Sequence, residues 1–144
     1  SKARLRTSPK LHLADPSLVC AILGASSERL QGELSMLGQV FETAVFHDLS
    51  VLSPLGSQVQ HYRDSNGHEI DAVISLADGR WAAIEAKLGS LQIQRGAASL
   101  ASAVKQIDTQ AIGEPAFLLV LTGTGPTLTL DNGIVTCPLT ALAP

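Results

Sequence analysis

The segments His68-Glu69-Ile70-Asp71-Ala72-Val73-Ile74 and Trp81-Ala82-Ala83-Ile84-Glu85-Ala86-Lys87, joined across the turn Ala77-Asp78-Gly79, decide how this chain is read. Each shows the period of two that sends successive side chains to opposite faces of a strand. A three-residue hairpin loop takes a left-handed residue at its last position, and Gly79 stands there. Leu76 then faces Arg80. Counting back sets Ile74 against Ala82, Ala72 against Ile84, Asp71 against Glu85 and Glu69 against Lys87. A two-residue Asp78-Gly79 loop would slip the register by one, oppose Asp71 to Ala86 and send the two carboxylates to opposite faces. The longer loop is the reading adopted.

Directly opposed side chains have Cβ atoms about 4.5 to 5.5 Å apart, so Asp71 and Glu85 are expected to share one cation. Two carboxylates hold a hard ion such as Mg²⁺ through oxygen, and the nearby amine of Lys87 suits an attacking water or a charged phosphate. The pattern points to nuclease-type chemistry. Half-solvated antiparallel strands also alternate apolar and charged residues, and Glu69 with Lys87 reads equally as a surface ion pair. Against that plain reading stands the cost of like charges set directly opposite, which calls for a cation between Asp71 and Glu85.

With 144 residues, 45% of them hydrophobic and 16% charged, the chain suits one domain with its own core. Aromatics make up only 3%, so Leu, Val, Ile and Ala build that core, with Phe41, Phe46, Phe117 and Trp81 as larger fillers. No apolar run reaches transmembrane length and none resembles a signal peptide, so a cytoplasmic protein is expected. Cys20 and Cys137 are too few for a disulfide framework or a zinc site. His12, His47, His61 and His68 show no ligand spacing and read as surface or structural residues. The net charge of −3 argues against a nucleic-acid partner. Its distribution argues the other way: between Arg80 and Lys105 lie Arg80, Lys87, Arg95 and Lys105 with Glu85 as the one acid, so a basic neighbourhood is expected around the site. Lys2, Arg4, Arg6 and Lys10 form a basic arm, suited to phosphates or simply to water.

Asp15-Pro16 reads as an N-cap with proline at the first helical position, opening a short helix to Leu23 that stops at Gly24. Leu34, Leu37, Phe41, Val45 and Leu49 recur at helical spacing, predicting one long helix from about Ser27 to Leu52. Glu42 sits at the border of its apolar stripe. A first strand is expected over Gln58 to Arg63, turning through Asp64-Ser65-Asn66-Gly67 into the Glu69 strand. Leu100, Val104 and Ile107 mark a second helix from Ala97 to Gln110. The continuous apolar run Ala116 to Leu121 suits a buried parallel strand beside the Lys87 strand. Thr127–Leu130 and Ile134–Cys137 form a closing hairpin around Asp131-Asn132-Gly133. Gly123 and Gly125 lack the Lys-Ser/Thr and following helix of a phosphate loop and read as a turn.

This order of elements resembles the PD-(D/E)XK nuclease superfamily, and more closely an uncharacterised domain that follows the ATPase module in many prokaryotic AAA-type ATPases. The residues carrying the resemblance are Ser8-Pro9-Lys10 through Asp15-Pro16-Ser17-Leu18, Gly38-Gln39-Val40-Phe41-Glu42, Tyr62-Arg63-Asp64, Gly67-His68-Glu69-Ile70-Asp71 and Ile84-Glu85-Ala86-Lys87-Leu88-Gly89. Gly113-Glu114-Pro115-Ala116-Phe117 and Thr122-Gly123-Thr124-Gly125 are similar to its closing segments. The resemblance implies an α/β, restriction-endonuclease-like core over residues 27–144, preceded by a linker remnant over residues 1–26, in a piece of a longer protein. It implies a Mg²⁺ or Mn²⁺ site of Asp71, Glu85 and the Ala86 carbonyl, with Glu42 binding directly or through water and Lys87 orienting the nucleophile.

The implied reaction is hydrolysis of DNA phosphodiesters, with DNA and an attached N-terminal ATPase module as partners. Glu69 is held as a partner for Lys87 rather than a ligand. Lys105 and Gln106 stand where related nucleases often place a polar residue near DNA. Ile70 replaces the proline that often precedes the metal-binding aspartate. The alternative is a nuclease-fold module that does not cut but binds DNA or regulates the ATPase, since fold does not fix function.

Overall fold

Proline at the start of a helix fills a position whose N–H has no intrahelical partner, and Asp15 caps the next free donor by accepting from the Ser17 N–H at 2.7 Å. That opens α1, Pro16–Leu23, which Gly24 ends in the left-handed conformation at φ +58°. The computed structural model describes residues 15–142. The basic arm, Ser8-Pro9-Lys10 and His12 therefore lie outside the described residues. The expected long helix is divided into α2, Ser27–Gly32, capped by Ser26, and α3, Leu34–Leu52. Glu33 leaves helical geometry at φ −122° and ψ 78°. Gly32 beside it is the local weak point, because glycine is a poor helix former.

The sheet begins as an antiparallel meander of β1, Gln58–Arg63, β2, Glu69–Ser75, and β3, Trp81–Gly89. Gly79 takes φ +87°, and the Leu76 N–H donates to the Arg80 carbonyl at 2.8 Å, so the three-residue loop is the one formed. The resulting register pairs Ala72 with Ile84 and Ile74 with Ala82, as the sequence predicts. A 3-10 turn then leads into α4, Ile93–Val104, followed by the short α5, Thr109–Ile112. The second helix thus begins earlier than expected and stops before Ile107. Next come β4, Leu118–Thr124, β5, Leu128–Thr129, and β6, Val135–Pro138. β4 lies parallel to β3, β6 parallel to β4, and β5 closes the edge antiparallel to β6. Among the described residues this is a mixed α/β fold of five helices and one six-stranded sheet in the order β1-β2-β3-β4-β6-β5. None of those helices is long and apolar enough to cross a membrane.

Helices cover both faces. Val45 and Leu49 of α3 pack with Ala72, Ala82, Ile84, Ala86 and Leu121 on one side. Leu100, Ala103 and Val104 of α4 pack with Tyr62, Ile70, Trp81 and Ala83 on the other. A strand buried on both faces reads as a near-continuous apolar run, which is how Trp81 to Ala86 is written. Trp81 also anchors the connection from α5, donating its indole N–H to the Gly113 carbonyl at 2.9 Å.

One irregularity shapes β2. Gln60 pairs with Val73 and Tyr62 with Ile70, so His61 alone stands opposite both Asp71 and Ala72. This is a β-bulge with the extra residue in β2. It transfers Ile70 to the α4 face although Ala72 faces α3. Glu69 moves with it to the opposite face, so the expected pairing of Glu69 with Lys87 is not formed. Glu69 Oε1 instead meets His61 Nε2 at 2.6 Å.

Two glycines in regular elements test this packing. A Cβ on Gly123 in β4 would lie 2.8 Å from the Leu88 carbonyl oxygen of β3, whereas one on Gly38 in α3 meets nothing among the described residues within 4 Å. Gly123→Ala is expected to destabilise the fold by about 1 to 3 kcal/mol, as overpacking does. Gly38→Ala is expected to stabilise it by up to about 1 kcal/mol, both read by urea denaturation.

Candidate active site

The hydrogen-bonded positions of the β2–β3 ladder are the even ones, as the Leu76 to Arg80 bond marks. Continued regularly, the ladder would join the Ala86 N–H to Ile70. Instead that N–H donates to Asp71 Oδ2 at 2.8 Å, and the recorded pairing of β2 with β3 ends at Ala72 and Ile84. β3 runs on to Gly89 beside β4. The two strands part, and Asp71 and Glu85 stand at the fork. In an extended strand a residue's N–H and C=O point toward the same neighbour, so the Ala86 carbonyl is also turned to the fork.

The fork opens into a cavity of about 810 Å³ lined by Glu42 and Thr43 of α3, Glu69 and Asp71 of β2, Glu85 and Lys87 of β3, and Ser99 and Ser102 of α4. The turn residues Gly67 and His68 and, from α1, Val19 complete much of the wall. All four side chains expected to act together, Glu42, Asp71, Glu85 and Lys87, therefore line one space. Ala86 lines a smaller adjoining cavity of about 190 Å³ together with Glu42 and Lys87.

Glu85 is buried, with a side chain only 7% exposed, and Lys87 donates to its Oε1 from Nζ at 2.7 Å. Burial raises the Glu85 pKa to about 7, helped by the negative charges of Asp71 and, less, of Glu42, while the Lys87 hydrogen bond and charge pull it back. Like charges crowded in a poorly solvated space are what a hard cation would relieve. Among the described residues, however, no three or more His, Cys, Asp and Glu side chains are gathered closely enough to hold an ion.

Among the described residues the expected basic neighbourhood is not assembled. Arg80 lies at the hairpin turn, at the far end of β3, and pairs with Asp78 at 2.8 Å. Arg95 and Lys105 are exposed on and just after α4 and are not among the residues lining the cavity. Among the described lining residues Lys87 and His68 stand against Glu42, Glu69, Asp71 and Glu85. Sequence spacing sends basic residues to all sides of a helix and to both ends of a strand, so proximity along the chain did not become proximity in space. Gln106 does not line the cavity either; α4 contributes Ser99 and Ser102, one turn apart. Those two serines went unremarked in the sequence, although they flank the buried stripe of Gly96, Leu100 and Ala103.

His61 adds a further polar group beside the site. Its side chain is 7% exposed, its Nε2 meets Glu69, and its Nδ1 is buried without a hydrogen-bond partner among the described residues.

Residues 37–142 match the family described as Domain of unknown function (DUF4143). The chain belongs to that family. No curated protein and no solved structure matches the chain. The DUF4143 match spans Glu42, Asp71, Glu85 and Lys87, so all four come from the shared domain, whereas Val19 precedes it.

The buried carboxyl of Glu85 ties stability to pH. The folded protein keeps its proton to about 7, while an ordinary glutamate loses it at 4.5, so this contribution is fully present below 4.5 and is lost as pH rises toward 7. In chelator-treated protein, Glu85→Gln should be more stable than the wild type above pH 7 by up to about 3 kcal/mol, and the gap should close toward pH 4.5. Denaturant unfolding of both proteins across that range checks it.

Proposed function

We propose that the cavity at the β2–β3 fork is a divalent-metal-dependent phosphodiesterase site acting on DNA, in a core of the PD-(D/E)XK type. The observation that carries this reading is the meeting of Asp71 and Glu85 at the fork, with the Lys87 ammonium 2.7 Å from Glu85 Oε1. The donor set fits Mg²⁺ or Mn²⁺. Mg²⁺ is commonly bound by only one or two carboxylates, completing its shell with water and substrate phosphate, so a gathered third carboxylate is not required. Asp71, Glu85 and the Ala86 carbonyl would hold the ion, with Glu42 reaching it directly or through water. When bound, it would supply Lewis-acid polarisation of the scissile phosphoryl group.

The chain's own residues supply the rest. Lys87 donates hydrogen bonds and positive charge where negative charge grows on the phosphate and where the attacking water must be aimed. Burial of Glu85 strengthens that charge interaction by excluding water. Ser99 and Ser102 offer uncharged hydroxyl donors along the cavity wall for phosphate oxygens, whereas the Thr43 hydroxyl is already donated to the Gln39 carbonyl at 3.0 Å. Association with an N-terminal ATPase module in a cytoplasmic protein belongs to the same proposal.

One observation favours a second reading, a module that binds DNA or regulates the ATPase without cutting. Among the described lining residues four carboxylates, Glu42, Glu69, Asp71 and Glu85, stand beside Lys87 and His68, an acidic balance better suited to holding a cation than to drawing in a polyanion. The two readings part in one assay. Labelled DNA incubated with the protein and Mg²⁺ or Mn²⁺ is expected to be cleaved, and Asp71→Ala and Lys87→Ala should each lower the rate by about 10²-fold or more. Cleavage that survives both substitutions, or is absent throughout, rules out the hydrolytic reading.

A further inference from the structure

Gly96 lies in the interior of α4, where glycine is less favourable than alanine. Its backbone is helical and does not take the positive φ that would require glycine. The reason for it must therefore lie in what surrounds it. A Cβ built there would be 3.0 Å from Lys87 Cγ, 3.4 Å from Lys87 Cε and 3.3 Å from Val120 Cγ1. Two of these three nearest atoms belong to the lysine.

Glu85 and Lys87 are two residues apart on β3 and share the face covered by α4. For its ammonium to stand 2.7 Å from Glu85 Oε1, the Lys87 stem must fold back along the strand, between the sheet and the helix. Gly96 is the part of α4 over which it passes. Cγ is close to the root of the side chain, so giving way even slightly turns χ1, and that turn, carried along the length of the stem, displaces the ammonium from Glu85.

We propose that Gly96 is a positioning residue for Lys87: the space left by its missing side chain fixes the lysine stem and thereby holds the ammonium against Glu85. This rests on the reading of Lys87 as the working amine of the cavity. Close approach of α4 to Val120 is the competing reason for the glycine, and it makes different predictions.

Three measurements separate them. Limited reductive methylation, read by peptide mass spectrometry, should modify Lys87 several-fold faster in Gly96→Ala than in the wild type, because the ammonium has left its partner. Adding Val120→Ala should not restore the slow rate. Gly96→Ala should lower Tm in the wild type and much less in a Lys87→Ala background, where the clashing stem is gone. In the DNA cleavage assay Gly96→Ala should lower kcat with KM little changed. An unchanged Lys87 modification rate, together with equal loss of Tm in both backgrounds, overturns the proposal. If Gly96→Ala does not fold, a cooperative unfolding transition in the double variant with Lys87→Ala supports it, and failure of that variant to fold overturns it. If the wild type does not cleave DNA, the hydrolytic reading fails, while the modification and unfolding results still decide the role of Gly96.

Discussion

The hydrogen bond from the Ala86 N–H to Asp71 Oδ2 stands where a strand-to-strand bond would otherwise be. A buried backbone donor must find an acceptor, and in a regular ladder the acceptor would come from Ile70. Using a side chain for it frees β2 to diverge from β3 without orphaning the donor. The bulge opposite His61 supplies the extra residue that the divergence requires. A conformational irregularity, a bent strand and a polar opening in an apolar sheet thus share one cause, and the opening is held by a bond to a charged acceptor, which is stronger than a neutral one.

The same geometry sets the electrostatics. The sheet is covered on both faces, so a carboxylate at the fork is drawn out of water as soon as α4 docks. Glu85 responds by holding its proton to about neutral pH, despite the lysine at 2.7 Å. Burial and the neighbouring Asp71 charge therefore outweigh the ion pair, as expected when desolvation of a pair is not fully repaid by its attraction.

Much of this was legible in the residues. Gly79 determined the loop, and the loop determined the register as far as Ala72 and Ile84, beyond which the parting strands leave Asp71 and Glu85 lining one cavity rather than paired. The bulge was not legible, for a physical reason. Ile70, Ala72 and Ile74 are all apolar, and with helices on both faces an apolar side chain is satisfied on either side, so shifting Ile70 across the sheet leaves no trace in the pattern. Glu69 had to follow, and among the described residues it meets His61 instead of Lys87. The division of the long helix had a visible signal in Gly32, but the apolar spacing of Leu34 to Leu49 outweighed it. The charge around the site misled because linear counting took Arg80 and Lys105 as neighbours of residues from which the strand and helix axes carry them away.

Val19 reaches the cavity from α1, a helix with no buried residue of its own, and it lies outside the span that the family shares. The fork and its charges thus lie within the matched span, while Val19 brings to the rim of the opening a side chain from ahead of it. Exchanging that leading segment while keeping residues 37–142 would leave the fork in place and change the doorway.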